Sequence, residues 1–558
     1  MVMMDGTRKN RGQRTVAELM EDIKALKAEI QELYCLDEIP WVVGYSGGKD
    51  STCVLQLIWN AVAELPIEKR IKQIHVLTTD TLVENPLVSA WMRRSLERMK
   101  LAAEKQDLPF LPRLLQPEVK DTFWVNLIGK GYPAPRHMFR WCTERLKIWP
   151  SNRYIQNVVR VRGEVIVVLG TRKAESSRRA GVMSDHAVGT VGDRLKKAQG
   201  LKSSLLYRGQ LPNSLVYSPL ANWRDDEVWL YLMQFPNPWG HSNKDLFELY
   251  RGATEDNECP FVIDTSTPSC GDSRFGCWVC TLVSEDKSMS AMIQNDEQKS
   301  WMQPLLDLRN ELDIYDDHDR RDFRRMTGKV QLFERNKREG SGTEVLPIPG
   351  PYTRFWREEW LRRVLQAQVE ARKNAPDDMK DIQLINRQEL SEIRRIWREE
   401  KHEFDDSLPR IYHEVTHQKF QDPRPTADTS HLGPDAWAIL QDLSDNDPLY
   451  LELLAKLLDT ERKYQTMSRR TGVYKDLAAC FETSALPKVE AIQQAETIRD
   501  MKQAQGGSSS KSKRSKSNKK DQDNKREAEK PDNDSIDVAG FQSAWSRLKF
   551  GQPPASDS

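Results

Sequence analysis

No stretch of the 558 residues approaches the ~18–20 consecutive apolar residues that a membrane-spanning helix requires. Met1 to Arg14 also lacks the apolar centre of a signal peptide, so the expectation is a cytoplasmic chain with no membrane attachment. An excess of one charge sign is missing too. Lys and Arg number 84 against 83 Asp and Glu, a formal net charge of +1, which predicts no global attraction to nucleic acid although local patches can hold phosphates. The nine histidines are read as scattered singly, which sets zinc hydrolases aside. Cysteine is scarce, at eight, and in a reducing compartment these are poor candidates for structural disulfides. Yet Cys259, Cys270, Cys277 and Cys280 fall within 22 residues, which points to a metal or to sulfur chemistry.

At ~150 residues per domain, the length allows three or four units. Residues 14–35 place Val16, Leu19, Ile23, Leu26, Ile30 and Leu33 three or four apart, one stripe of an amphipathic helix. Short apolar runs follow at Trp41–Tyr45, Ile74–Thr78 and Val165–Leu169, with a helix expected over Asp50–Leu65. That rhythm predicts an α/β fold, a parallel sheet with helices on both faces. Beyond about residue 290 charged helical segments dominate, interrupted at Gly340–Pro351 by a break read as an ordered loop. Near Gly506 the chain turns low-complexity, and six basic residues with no acidic one fill 511–520, the composition of a disordered tether. Val538, Phe541, Trp545 and Leu548 then stand at helical spacing, suiting either a partner-docking helix or a tail that folds back. The expected organisation is a helix (1–36), an α/β domain (37–290), a charged helical domain (291–504), a linker (505–535) and a docking segment (536–558).

Gly44-Tyr-Ser-Gly-Gly-Lys-Asp-Ser51 follows a strand and opens a helix, where backbone N–H groups and the positive helix end favour a bound anion. Gly47 and Gly48 let the backbone approach phosphate oxygens, Lys49 adds charge, and Ser46 and Ser51 add hydroxyls. The Walker pattern is excluded, because Lys49 stands where its second glycine is required. Ser-Gly-Gly-Lys-Asp-Ser resembles the signature of PP-loop ATP pyrophosphatases, the adenine nucleotide alpha hydrolase-like group. That resemblance implies cleavage of ATP between its α and β phosphates. Asp80, at the end of the second apolar run, is a candidate to hold Mg²⁺ or meet the nucleotide, or else a helix cap. Gly170-Thr-Arg-Lys-Ala-Glu-Ser-Ser-Arg-Arg179 carries Arg172, Arg178 and Arg179, suited to phosphate or sulfate oxygens or to a solvated helix face. It resembles a segment of sulfate-adenylylating and adenylyl-sulfate-reducing PP-loop enzymes, and Ser218–Trp223 with Asp226–Trp229 resembles their next, mainly structural motif.

Cys277-Trp-Val-Cys280, with Cys270 seven residues earlier, has the bite of a tetrahedral thiolate centre. Spacing leaves zinc and a [4Fe–4S] cluster open, and the nearby phosphate loop favours the cluster. Cys142, in Arg140-Trp-Cys-Thr-Glu-Arg-Leu-Lys147, or Cys259 would complete the set. Adenylyl-sulfate reductases, which this region resembles, carry two adjacent cysteines where Trp141 precedes Cys142. Cys35, Cys53 and Cys480 are read as ordinary buried residues.

Taken together, residues 40–290 resemble the DndC family, the sulfurtransferases of DNA phosphorothioation systems. The resemblance implies ATP, Mg²⁺ and a [4Fe–4S] cluster as cofactors. It implies DNA as acceptor, a cysteine desulfurase as sulfur donor and other phosphorothioation subunits as partners. Lys49, Asp50, Arg172 and Cys142 are then the candidate catalytic residues, while Ser46, Gly47, Gly48, Ser51, Asp80, Gly170, Arg178 and Arg179 join Lys49 and Asp50 at the nucleotide. The rival readings are an adenylyl-sulfate or phosphoadenylyl-sulfate reductase, a tRNA thiolase, and a nucleotide-sensing scaffold without catalysis.

Overall fold

The computed structural model describes residues 14–137, 139–175, 206–208, 211–253, 276–336, 343–423, 433–465, 467, 469–484 and 486–506. Arg178, Arg179, Cys259, Cys270 and the segment expected to dock a partner lie outside these residues, as does most of the expected linker. Among the described residues no helix is long and apolar enough to cross a membrane.

Two compact units divide the chain. The first comprises Met1–Tyr315, Glu359–Glu392 and Ile411–Pro423. It opens with helix α1 (Val16–Leu36), started by a capping box in which Thr15 and Glu18 each satisfy the other's backbone N–H. The predicted apolar stripe is buried at Leu19, Ile23, Leu26, Ile30 and Leu33. Strands β1 (Trp41–Gly44), β2 (Ile74–Thr79), β3 (Phe110–Leu115), β4 (Val165–Val168), β5 (Leu206–Arg208) and β6 (Ser214–Tyr217) form one sheet in the order β3-β2-β1-β4-β6-β5. The first five in that order run parallel, and β5 is an antiparallel edge.

The pleat of β1 explains why helices are needed on both faces. Trp41 and Val43 enter a core with α1, with α2 (Lys49–Ala63) and with the Asp225–Gln234 helix, whereas Val42 joins Leu77, Val165 and Ile155 of α4 (Trp149–Arg162). α2 buries Cys53, Val54, Leu55, Leu57 and Ile58 in succession, so it is hemmed in on nearly every side. Each such side chain contributes roughly 1.5–3 kcal/mol on burial.

Because β1, β2, β4 and β6 share a direction, the turns after Gly44, Thr79, Val168 and Tyr217 emerge together at one edge of the sheet. The β1 and β2 turns are tied: Tyr45 N–H donates to Leu77 O at 2.8 Å and Thr78 Oγ1 donates to Tyr45 O at 2.9 Å.

The second unit comprises Asp316–Glu358, Ile393–Arg410 and Arg424–Ser558. Its described part is mainly helical, with Phe404, Leu440 and Ala455 at a small apolar centre. Arg324 forks onto Asp322 and Glu452, each at 2.8 Å, and Arg357 pairs with Glu403. The Gly340–Pro351 break is not simply a loop. Thr343–Pro347 forms strand β8, antiparallel to β7 (Leu332–Asn336). Glycines and prolines at its ends mask the strand-forming Thr-Glu-Val-Leu between them.

Candidate functional site

The glycine turn after β1 owes its shape to steric necessity. Gly47 takes φ +76°, and a Cβ there would stand 2.7 Å from Met92 Cγ, so glycine is required twice over. Gly48 caps α2 with no side-chain cap, and a Cβ on it would meet Tyr250 Oη at 3.0 Å. Ser51 Oγ accepts from Ser46 N–H at 3.2 Å and lies 3.1 Å from Ser46 Oγ, which draws the turn closed. Gly170, after β4, comes so close that a Cβ would lie 3.0 Å from the Asp50 carbonyl carbon and oxygen. The two predicted loops are therefore in contact.

Charged groups gather around this turn. Lys49 Nζ lies 3.7 Å from both Asp50 and Asp225, and 5.4 Å above the Tyr250 ring. Arg172 Nε is 2.8 Å from Asp50 Oδ1, and its other arm pairs with Asp225. Burial works against the Arg172 charge, but Asp50 and then Asp225 more than restore it, leaving its pKa above the usual arginine value. Lys49, Asp50, Gly170 and Arg172 are thus brought together.

Asp80 has a bracing role in this structure. Its oxygens accept from Leu82 N–H at 2.9 Å, Arg93 at 2.7 Å and Gln116 at 3.3 Å. These bonds hold the turn after β2, where Leu82 takes φ +66°. The cap of the next helix, α3 (Pro86–Lys105), is Asn85 instead, accepting from Leu87 N–H at 3.0 Å.

Cysteines converge beside that turn. Trp278 N–H donates to Val83 O at 2.9 Å, Asn85 N–H to Gly276 O at 3.3 Å, and Cys280 N–H to Cys277 O at 3.0 Å, which folds the Cys-Trp-Val-Cys run against the β2 turn. Arg309, buried, clamps the far side by donating to the carbonyls of Cys280 (3.0 Å), Ser284 (3.2 Å) and Val283. Cys142 lies just before the wide helical turn Thr143–Ile148 that leads into α4. Cys142 is within electrostatic reach of both Cys277 and Cys280.

Cys277 Sγ is 3.4 Å from Thr81 Oγ1 and 3.8 Å from Glu84 Oε1, and Glu84 pairs with Lys147 at 3.2 Å. Burial, then the Glu84 charge, pushes the Cys277 thiol up to about 12, while Lys147 pulls the other way. Burial also raises Cys142. Cys277 first, then Glu84 and Cys280, hold the Lys147 ammonium above the usual lysine range against the effect of burial. Cys277 and Cys280 beside the Lys147 cation have the chemistry that an anionic iron–sulfur cluster needs. Among the described residues, however, no group of three or more His, Cys, Asp or Glu stands in metal-holding array. Cys259 and Cys270 lie outside those residues.

Several features were missed in the sequence. Asp225 and Tyr250 meet Lys49, and the only available hint was an acidic residue opening the helix after Trp223. The histidines are not all isolated. His413-Glu-Val-Thr-His417 has the zinc-hydrolase spacing, but its helix ends at Thr416 and His417 turns to φ +56°. The two imidazoles therefore do not share a continuous helical face. Cys35 is exposed rather than buried, while Cys53 and Cys480 are buried.

Comparison with known proteins matches residues 40–282 to the phosphoadenosine phosphosulfate reductase domain. An uncharacterized protein of Methanocaldococcus jannaschii is 26% identical over 200 residues, 36% of this chain and 32% of that protein. The chain thus spans about a third of the length of this curated relative. Among solved structures, phosphoadenylyl-sulfate reductase from Candida auris, in a phosphate complex, is 13% identical, with a TM-score of 0.24 over 42% of this chain and 92% of that one. The U34-tRNA thiolase NcsA from Methanococcus maripaludis, with its [4Fe-4S] cluster, is 12% identical, with a TM-score of 0.24 over 50% and 80%. FMN adenylyltransferase from Candida glabrata, with FAD and inorganic pyrophosphate, is 12% identical, with a TM-score of 0.24 over 45% and 68%. The sheet order and the glycine turn after β1 agree with that match, and residues 40–282 have a PAPS reductase-like, PP-loop fold.

Proposed function

We propose that this protein is an ATP-dependent sulfurtransferase. The observation that carries the reading is the placement of the phosphate loop and of the Cys277–Cys280 pair at the ends of neighbouring parallel strands, β1 and β2. In the reaction, an acceptor oxygen attacks the α-phosphorus of ATP, giving an adenylate and pyrophosphate. A sulfur nucleophile then attacks the activated acceptor, the bond to oxygen breaks, and AMP leaves with that oxygen. Lys49, Arg172 and the start of α2 stabilise charge on the departing pyrophosphate, and Mg²⁺ accompanies the nucleotide. Cys270, Cys277 and Cys280, with Cys142 or Cys259, would hold a [4Fe–4S] cluster, which supplies soft iron sites for an exchangeable sulfur atom. Lys147 offsets negative charge there, and Arg309 keeps the Cys277–Cys280 turn in place.

The acceptor we infer is the DNA backbone, where sulfur replaces a non-bridging phosphate oxygen. The motif resemblance to DndC supports this, and so does the surface around Cys142. Between Thr122 and Gly163 the chain has eight Lys and Arg against one Glu, although the whole chain carries only +1. Phe139 is 44% and Trp149 39% exposed, interleaved with Arg140, Lys147 and Arg153. Asp121, Glu84 and Glu118 pair with Arg145, Lys147 and Arg153 and partly offset the charge. Basic residues among exposed aromatics suit a phosphodiester with stackable bases. A cysteine desulfurase is the inferred sulfur source, with further phosphorothioation subunits as partners.

Co-expressed DNA, digested with nuclease and analysed by mass spectrometry, should yield dinucleotides with sulfur at phosphorus, absent with Lys49→Ala. Sulfur in tRNA bases instead would move the reading to a thiolase, and release of sulfite from an adenylyl sulfate would move it to a reductase.

A further inference from the structure

Two N–H groups of the phosphate loop already bond to groups of its own chain. Lys49 N–H donates to Tyr250 Oη at 3.3 Å, and Ser46 N–H is taken by Ser51 Oγ. Around them Lys49 and Arg172 face Asp50 and Asp225, so two cations are matched by two carboxylates of the chain itself. An anion entering this loop must compete with those carboxylates for the same two cations. Asp50 is part of the loop and of the first turn of α2. Asp225 comes from elsewhere, as the first residue of the Asp225–Gln234 helix, and its side chain is 18% exposed. A carboxylate at a helix start is stabilised there by the helix dipole, so Asp225 can give up Lys49 and Arg172 without being stranded.

We propose that Asp225 is an internal substitute for phosphate: it holds Lys49 and Arg172 in the empty loop, yields them to the phosphates of ATP, and so sets the affinity for nucleotide. This rests on the reading of the loop as the ATP site. Asp225 acts through the two cations and is a positioning residue. It keeps two like charges from repelling one another in the empty loop and lowers phosphate affinity by the strength of its own claim on them. Its removal should therefore tighten binding to phosphates while making the empty protein less stable.

The test uses the full chain with Asp225→Asn, which preserves shape and a polar helix start. Calorimetry measures dissociation constants for inorganic pyrophosphate without divalent cation and for a non-cleavable ATP analogue with Mg²⁺. The variant should bind pyrophosphate about tenfold more tightly, the order of one charge-assisted hydrogen bond, and the gain should shrink with added salt. Its unfolding temperature without ligand should fall. If Asp225→Asn does not fold, Asp225→Ser, which keeps a hydroxyl at the helix start, carries the same prediction. Unchanged or weaker pyrophosphate binding overturns the proposal. Loss of binding confined to the Mg²⁺ experiment overturns it as well, by identifying Asp225 as a metal ligand. A wild-type protein that binds neither ligand refutes the ATP-site reading itself, a distinct outcome.

Discussion

Three glycine-to-alanine changes separate backbone strain from loop displacement. At Gly163, φ is +85° and an added Cβ meets nothing within 4 Å, so alanine brings only the left-handed strain of roughly 1–2 kcal/mol. At Gly170 the new methyl would stand 3.0 Å from the Asp50 carbonyl carbon and oxygen and 3.1 Å from Ser51 N. Those atoms are backbone and cannot rotate away, so overpacking of about 1–3 kcal/mol must be relieved by pushing the phosphate loop off β4. Gly47→Ala combines both effects, with φ +76° and Met92 Cγ at 2.7 Å, and should cost about 2–5 kcal/mol. Thermal unfolding ranks stability, and pyrophosphate release from ATP ranks function. Gly163→Ala should lose stability yet keep wild-type pyrophosphate release. Gly170→Ala should lose a similar amount of stability and at least tenfold in release, and Gly47→Ala should lose most of both. Wild-type release by Gly170→Ala would refute the claim that contact between these loops positions the nucleotide.

His241 packs against Trp91 with ring centroids 3.8 Å apart and the rings tilted by 34°, and burial, then Arg98 and Arg94, lowers its pKa to about 4. It folds neutral, so the stability it protects is present above the unfolded value near 6.5 and is lost as pH falls towards 4, by roughly 3 kcal/mol. His241→Phe should flatten that part of the stability profile, measured by denaturant unfolding between pH 4 and 7. Arg309→Leu strips three carbonyls of the Cys280–Ser284 turn of their donor and should cost about 3 kcal/mol. Protein purified without oxygen from this variant should also contain less iron.

The three strands whose β-branched runs are buried on both faces were legible in the sequence, as were α1 and the turn Ser46–Ser51. β3 was not, since Pro112 interrupts it and its later residues are exposed at the sheet margin. β6, four residues bounded by Asn213 and Pro219, gives too short a period to register. The loops at the sheet edge could be read as phosphate-binding from residue type alone. Their mutual contacts could not, because Arg172 reaches Asp50, and Asp225 and Tyr250 reach Lys49, from separate strand ends and helices, and only the folded sheet brings them together. The Cys-x-x-Cys pair announced a thiol centre. Its setting against Thr81, Glu84 and Lys147 depends on an isolated bridge between Glu84 and Cys277, to which no local pattern points.

In the proposed reaction one loop activates with ATP what the neighbouring thiols then sulfurate. Its most direct test follows pyrophosphate release and transfer of radioactive sulfur to DNA in the same reaction, for wild type, Lys49→Ala and Cys277→Ala. Lys49→Ala should lower both by about 100-fold or more, whereas Cys277→Ala should keep pyrophosphate release and lose sulfur transfer. Sulfur transfer that persists in Cys277→Ala, or that proceeds in Lys49→Ala at the wild-type rate, would contradict the account.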